Sequence, residues 1–192
     1  MLAGKGFDHV INVAGGIKAW DGKTAVGSEE MGLELLTGKE SIEETLVAAY
    51  SLEAGLREFY LSMIEKVSPA DIQQLFRKLS EIELLHQDRL FNEYLQVAGK
   101  PVSRETFDND LVAQAVEGGM TTEEYVQMYQ PDWESPVDVI SLAMSIEAQA
   151  LDLYTRAAER STDPRSREAL QKIAEEERNH LEQLGKLMDE KV

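Results

Sequence analysis

After residue 41, apolar residues recur along the chain at alternating spacings of three and four, the period of an amphipathic α-helix that faces a shared core. In the first such segment the inward positions are Leu46, Ala49, Glu53, Leu56, Tyr60, Met63 and Val67. Four segments show the pattern, and we predict helices over about 42–67, 69–98, 136–161 and 164–190. The pattern therefore predicts an all-α protein built from four long helices.

Local signals mark where these helices begin and end. Ser41 with Glu44 three residues later is typical of a capping box, and Ser68 before Pro69 predicts an N-cap followed by a first-turn proline. Gly99 predicts the end of the second helix. The inward stripe of the second helix includes Ile72, Leu75, Leu79, Glu83, His86 and Leu90. That of the fourth includes Leu170, Ile173, Glu177, His180, Leu184 and Leu187.

A segment of roughly 35 residues, 101–135, separates the second helix from the third and interrupts the long helical pattern. Shorter helical pieces are expected within it, including one capped by Thr121 with Glu124. Tight turns elsewhere produce two helical hairpins, and a connection this long lets the second hairpin cross the bundle. We therefore predict a four-helix bundle over residues 41–192, with a long crossover between helices 2 and 3.

Residues 1–26 follow a different pattern. The run HVINVAGG is a short β-type stretch that ends in a Gly-Gly turn, and IKAW then begins a brief helix. About 26 residues cannot bury a core alone, so this segment must pack on something else or is the remnant of a larger domain. Residues 27–40 contain three glycines and are predicted to be a linker.

Composition narrows the classes of partner and site. The net charge of −17 argues against nucleic acid and anionic membranes as partners. The chain has no cysteine, which excludes disulfides, thiolate catalysis, iron–sulfur clusters and cysteine-ligated zinc. No apolar run approaches about 20 residues and the first residues lack the features of a signal peptide, so we expect a cytoplasmic protein without a transmembrane helix.

The two hairpins repeat each other at an offset of 94 residues. The pairs are Glu53 and Glu147, Tyr60 and Tyr154, Glu83 and Glu177, and His86 and His180. Every member lies on the inward stripe of its helix. Glutamate is common in this chain, but histidine is not: only three are present, and the two in the bundle fall in register. The repeat therefore points to a shared site between the hairpins.

Buried glutamates need compensation. Each ionised carboxylate among leucines costs several kcal/mol unless it is balanced, and two divalent cations would balance four carboxylates. Because residues at i and i+3 are neighbours on a helix, each Glu-x-x-His pair can reach one metal, while the other two glutamates bridge or cap the pair. The predicted ligands are Glu53, Glu83, His86, Glu147, Glu177 and His180. This ligand set suits iron or manganese, and zinc or cobalt is compatible with it.

Tyr60 and Tyr154 lie seven residues after Glu53 and Glu147, two turns along the same helix faces. One interpretation makes them core aromatics whose hydroxyl groups donate to a carboxylate. The other makes them groups that orient the metal ligands and supply a proton or an electron. Both interpretations place the tyrosines beside the predicted site.

The motifs described above resemble those of the rubrerythrin and bacterioferritin branch of the ferritin-like superfamily, over residues 41–192. The resemblance implies a ferritin-like bundle with two iron ions held by the six predicted ligands. It also implies a non-haem di-iron oxidoreductase acting on peroxide, dioxygen or ferrous iron. The alternative is a ferritin-like protein that oxidises, stores or delivers iron without dedicated reductive turnover.

This chain departs from the pattern of rubrerythrins, which usually carry a rubredoxin domain with a four-cysteine iron. Without cysteine, the chain is expected to receive electrons from an external donor of the rubredoxin or reductase type. Cage-forming ferritins usually have a short fifth helix, whereas this chain ends with its fourth. A homodimer is therefore expected rather than a storage cage.

The segment LAGKGFDHVINVAGGIKAW resembles the last part of a rhodanese domain and covers only its final strand and helix region. The catalytic cysteine of that family would lie upstream of Met1, so no sulfurtransferase activity is expected. The resemblance implies either a rhodanese–rubrerythrin fusion whose start is missing or a vestige of such a domain.

Overall fold

The computed structural model describes residues 32–33, 35–109 and 121–191, which form helices and no strand. The helices are α1 (Ile42–Ile64), α2 (Ala70–Val97), α3 (Arg104–Asn109), α4 (Thr122–Tyr129), α5 (Pro136–Arg160) and α6 (Pro164–Asp189). The predicted all-α class and the four long helices are confirmed for this part of the chain. The predicted rhodanese-like fragment over 1–26 lies outside the described residues.

The predicted N-cap of α1 is confirmed, whereas the predicted N-cap of α2 is wrong although that helix begins within one residue of the predicted position. Glu44 N donates to Ser41 Oγ at 3.3 Å and Ser41 N donates to Glu44 Oε2 at 2.8 Å, which completes the capping box. At α2 the N-cap is Pro69, without a side-chain cap, and Ser68 does not hold that position. The reason is that Pro69 is extended, with ψ of 128°, and its carbonyl accepts the first helical hydrogen bond, from Gln73 N.

Helices α1 and α2 pack along each other, as do α5 and α6, so the two predicted hairpins are present. The inward stripes predicted from the sequence are buried, with two exceptions, Leu75 on α2 and Leu187 on α6, which are half-buried. The buried apolar residues form two clusters. Along each long helix the predicted ligands lie between a stretch that belongs to one cluster and a stretch that belongs to the other. The fold thus encloses the candidate site between two apolar layers.

The first part of the connection between the hairpins is fixed to α1 and α2. Phe107 of α3 is buried, with its ring centroid 4.8 Å from that of Tyr50 and 4.6 Å from that of Tyr94. Arg104 Nε donates to Tyr50 Oη at 2.8 Å, and Arg104 Nη1 donates to Asp88 Oδ1 at 2.9 Å. Helix α4 begins with the capping box predicted at residue 121.

None of the described helices combines the length and the apolar composition that a membrane span requires.

Candidate metal centre

The structure brings the side chains of all six predicted ligands together in the middle of the bundle. The four carboxylates are fully buried, at 0% exposure, and the imidazoles are 9% and 5% exposed. They come from all four long helices: Glu53 from α1, Glu83 and His86 from α2, Glu147 from α5, and Glu177 and His180 from α6. Four potential anions in one buried site require a strong local compensation.

Each imidazole lies between two carboxylates, and the two halves of the site repeat one another. His86 Nδ1 is 3.2 Å from Glu53 Oε2 and 3.4 Å from Glu83 Oε2. In the other half the corresponding distances around His180 Nδ1 are 3.1 and 3.4 Å. The two rings stack on each other, with centroids 4.9 Å apart and planes 6° from parallel. The sequence repeat therefore has a two-fold counterpart in space.

Three sets of side chains have ligand atoms within 4.8 Å of one another. The sets are Glu83 with His86 and His180, Glu53 with His86 and Glu177, and Glu147 with Glu177 and His180. Glu177 belongs to two of these sets, as do both histidines, whereas Glu53, Glu83 and Glu147 belong to one set each. The sequence assigned bridging or capping of the metal pair to Glu53 and Glu147, whereas in the structure Glu177 is the carboxylate shared between two candidate sets.

Hydrogen bonds from the two imidazoles lower the pKa values of Glu53 and Glu147. Burial alone would raise the pKa of Glu53, but the hydrogen bond and the charge of His86 outweigh burial and leave that pKa below its ordinary value. Burial would likewise raise the pKa of Glu147, and hydrogen bonds from His180 and Tyr60 contribute to holding it low. Both carboxylates are therefore kept in the ionised form that binds metal.

The same hydrogen bonds raise the pKa values of the groups that donate them, His180 and Tyr60. Burial would lower the pKa of His180, but its hydrogen bond to Glu147 raises that pKa above the ordinary value. Burial and the neighbouring carboxylates raise the pKa of Tyr60 well above its ordinary value, so its hydroxyl group keeps its proton. In the metal-free protein a proton on His180 thus supplies part of the positive charge that the site needs.

The residues present fit a pair of divalent cations. Glu53 Oε1 is buried and receives no hydrogen bond from an N–H or O–H group of the described residues. A buried anionic oxygen in that state is costly, and a bound cation would supply its missing partner. Four carboxylates and two imidazoles form the donor set found in di-iron and di-manganese carboxylate bundles. Oxygen and imidazole ligands of this kind suit iron and manganese.

The predicted contact between a tyrosine hydroxyl group and a carboxylate is present for Tyr60. Its Oη donates to Glu147 Oε1 at 2.5 Å, across the bundle from α1 to α5. Tyr154 is equally buried, at 0% exposure, and lies in the other apolar cluster. Tyr60 therefore touches a candidate ligand of the opposite hairpin rather than one on its own helix.

Some buried polar residues one or two positions from candidate ligands along the chain were missed by the sequence analysis. Ser51 and Ser145 are buried, and each donates its hydroxyl group to the carbonyl four residues earlier, at 2.9 and 2.8 Å. They are separated by the same 94 positions as the glutamates, so the repeat itself could have identified them. Gln87 Nε2 donates to the backbone oxygen of Glu53 at 3.4 Å, and no repeat signal marks it because Leu181 stands at the corresponding position.

Comparison with protein families gives one match. A family model with the description Rubrerythrin matches residues 44–188, which is most of the chain. The matched range begins in α1 and ends in α6, so it includes all six candidate ligands and excludes residues 1–26. No curated protein and no solved structure matches the chain.

Proposed function

The chain belongs to the rubrerythrin family, and from that premise we propose that it is a non-haem di-iron oxidoreductase. In this proposal it reduces peroxide or dioxygen with electrons from an external donor. The observation that supports the proposal most strongly is the enclosure of four carboxylates and two imidazoles in one buried, two-fold arrangement. A site of that composition is expensive unless cations occupy it.

The proposed ligands of the two iron ions are Glu53, Glu83, His86, Glu147, Glu177 and His180. Membership of Glu177 in two of the three candidate sets supports it as a carboxylate that would contact both ions. When bound by these residues, a ferrous pair would supply two electrons for cleavage of an O–O bond. Manganese or zinc would fit the same donors, so the choice of metal is tested by analysis of the purified protein.

The surrounding residues prepare the site in three ways. The two apolar clusters exclude bulk water from the carboxylates, which strengthens every electrostatic interaction there. The carboxylates beside His86 and His180 fix the orientation of the two rings. Tyr60 holds Glu147 through its hydroxyl group and keeps a proton close to the reacting atoms. Tyr154 is proposed to have a corresponding role in the other half.

The proposal includes partners outside this chain. These 192 residues hold no cysteine for a rubredoxin-type iron, so the reductant is proposed to be an external donor of the rubredoxin or reductase type. A homodimer is proposed as the assembly. The strongly negative charge supports partners other than nucleic acid.

The decisive experiment starts from protein purified without oxygen. Metal analysis is expected to give about two iron ions per chain, and one equivalent of hydrogen peroxide is expected to oxidise both, with an accompanying change in the visible spectrum. The His86→Ala variant should lose this stoichiometry and the spectral change. An unchanged spectrum on addition of peroxide to a loaded protein would overturn the proposal. Large oligomers that load many irons per chain would instead support storage.

A further inference from the structure

A groove of about 440 Å³ lies between α2 and α6 and reaches the candidate metal centre, because His180 is part of its lining. A larger cavity of about 550 Å³, between α5 and α6, is lined by none of the six candidate ligands. Ion pairs connect α2 with α6 and with a residue just beyond it: Arg89 Nη2 with Glu176 Oε2 at 2.5 Å, Lys172 Nζ with Glu93 Oε1 at 4.0 Å, and Lys191 Nζ with Asp71 Oδ2 at 2.7 Å. The groove is therefore a defined opening beside the site.

Aliphatic side chains line the groove. Leu79 and Leu184 are buried, whereas Leu75, Ile82 and Leu187 are half-buried and remain partly accessible. The first two lie one helical turn from candidate ligands, Leu79 before the α2 glutamate and Leu184 after the α6 histidine. The apolar lining therefore extends along the groove up to the metal centre.

The half-burial of Leu75 and Leu187 has a consequence for ligand binding. Both fall on the stripes that the sequence predicts to face the core, yet both line the groove and neither is fully buried. Accessible aliphatic surface next to a polar reactive group is typical of a site that binds an apolar ligand. Continuity with His180 favours a ligand whose reactive end enters the metal centre.

Charges near the groove do not select for an ion. Lys78 and Lys186 are part of the lining, but so are Asp71 and Glu190. Because both signs are present, neither an anionic nor a cationic head group is favoured. The lining as a whole fits an uncharged molecule with a hydrocarbon chain.

From these observations we infer that the groove between α2 and α6 binds the hydrocarbon chain of an organic hydroperoxide, with the hydroperoxide group directed towards His180. The inference rests on the proposed function. A volume of about 440 Å³ far exceeds the roughly 30 Å³ that a water-sized molecule occupies in the liquid, so hydrogen peroxide alone would leave it largely unfilled. Reduction consumes two electrons and two protons, breaks the O–O bond and yields an alcohol and water. The electrons come from the ferrous pair, which becomes ferric, and the protons come from solvent.

Binding can be measured without turnover by using linear alcohols, the product class, as probes. Titration of the as-purified protein with 1-butanol to 1-octanol by calorimetry should show the Kd falling with chain length. We expect about fourfold tighter binding per methylene, which corresponds to about 0.8 kcal/mol, until the groove is filled. A Kd that does not depend on chain length would overturn the inference.

Variants locate the binding on the groove. Leu75→Gln and Leu187→Gln replace half-buried lining residues several positions from any candidate ligand, and each should weaken 1-octanol binding by about tenfold. Leu85→Gln is the matched control, since Leu85 is 65% exposed on α2 and does not line the groove. Equal losses in Leu85→Gln and Leu187→Gln would contradict the inference. Circular dichroism identifies any variant that fails to fold. If one of the two lining variants does not fold, the binding of 1-octanol to the other variant tests the inference.

Turnover separates this inference from the proposed function. In the lining variants KM for an alkyl hydroperoxide should rise about tenfold while KM for hydrogen peroxide stays unchanged. If the protein binds alcohols more tightly as their chains lengthen but reduces no peroxide, the groove binds hydrocarbon chains and the proposed redox function is overturned. Reduction of hydrogen peroxide without alcohol binding would overturn the groove and leave the redox function intact. If wild type binds no alcohol and Leu187→Gln alters the molar mass in light scattering, the groove is an interface between copies and the inference fails.

Discussion

Tyr60 of α1 donates a 2.5 Å hydrogen bond to Glu147 Oε1 of α5, so the first hairpin directly contacts a candidate ligand of the second. Both groups are fully buried. A hydrogen bond to a buried charged group contributes more than a neutral one, on the order of 1.5–3 kcal/mol. This contact therefore ties the packing of the two hairpins to the position of a candidate ligand.

Removing that hydroxyl group should weaken both the fold and metal binding. We expect Tyr60→Phe to lower the free energy of unfolding of the metal-free protein by about 1.5–3 kcal/mol, and to weaken metal affinity by roughly 10–100-fold. Urea denaturation with chelator present and competitive metal titration measure the two effects. The matched control is Tyr129→Phe, because Tyr129 Oη is buried and makes no hydrogen bond to the described residues. Equal effects in the two variants would contradict the assigned role of Tyr60.

Replacing a buried candidate ligand should have opposite effects on the metal-free and the metal-loaded protein. Glu177→Gln removes a potential buried charge, so the metal-free protein should melt at a higher temperature. It also removes a proposed bridging ligand, so the increase in Tm on adding ferrous or zinc ions should shrink. Glu175→Gln, an exposed position on the same helix, should leave both quantities unchanged. A Glu177→Gln protein with the full metal-induced increase would argue against Glu177 as a ligand.

The stability of the metal-free protein should be greatest in a limited pH window. The pKa of His180 is raised by its bond to Glu147, so its contribution is present below about pH 6.5 and is lost as pH rises through the folded value. The pKa of Glu147 is lowered, so its contribution is present above the ordinary value of 4.5 and is lost as pH falls through the folded value. We therefore expect the highest Tm between these two limits.

Thermal melts in chelator from about pH 4 to pH 9 test this window, and His180→Gln should remove the decline on the alkaline side. A Tm that keeps rising above pH 7 would contradict the raised pKa of His180. With metal bound, the dependence on the alkaline side should disappear, since the cation replaces the proton on the imidazole.

Gly38 should be intolerant of any side chain. Its φ is +92°, and a Cβ there would lie 2.4 Å from the carbonyl oxygen of Arg160. The Gly38 carbonyl also accepts hydrogen bonds from Thr162 N and Oγ1, at 2.9 and 3.0 Å, which hold the segment before α1 against the turn after α5. Gly38→Ala is expected to cost at least about 1–3 kcal/mol of unfolding free energy in urea denaturation.

Gly185 provides the opposite case for the same substitution. It lies inside α6, and a Cβ there would meet nothing within 4 Å. Gly185→Ala should therefore stabilise the protein by up to about 1 kcal/mol, since alanine favours the helix and glycine does not. A gain at Gly38 or a loss at Gly185 would show that backbone conformation does not control stability at these positions.

The helices were predictable because their signals are local. The capping box at Ser41 and the end of α2 near Gly99 depend only on neighbouring residues, and both agree with the structure. The prediction at Ser68 failed because a serine before a proline also suits an extended turn. The Gln73 side-chain amide donates to the Val67 carbonyl at 2.9 Å, which helps to hold the turn before α2 begins.

The sequence alone determined which residues meet at the candidate site. Glu83 and His86 share a helix face with three-residue spacing, and the 94-residue repeat supplies Glu177 and His180 in the same register. Residue type, helical period and the cost of burying charge are sufficient for that step, because each acts within one helix or between copies of one pattern.

Only the tertiary structure decided how the helices face each other. It determined that Glu177 belongs to two of the three candidate ligand sets, that Tyr60 donates to Glu147, and that a groove between α2 and α6 leads to His180. These relationships depend on the distances between helices that are far apart along the chain. Those distances follow from how the two apolar clusters pack, which no single helix specifies.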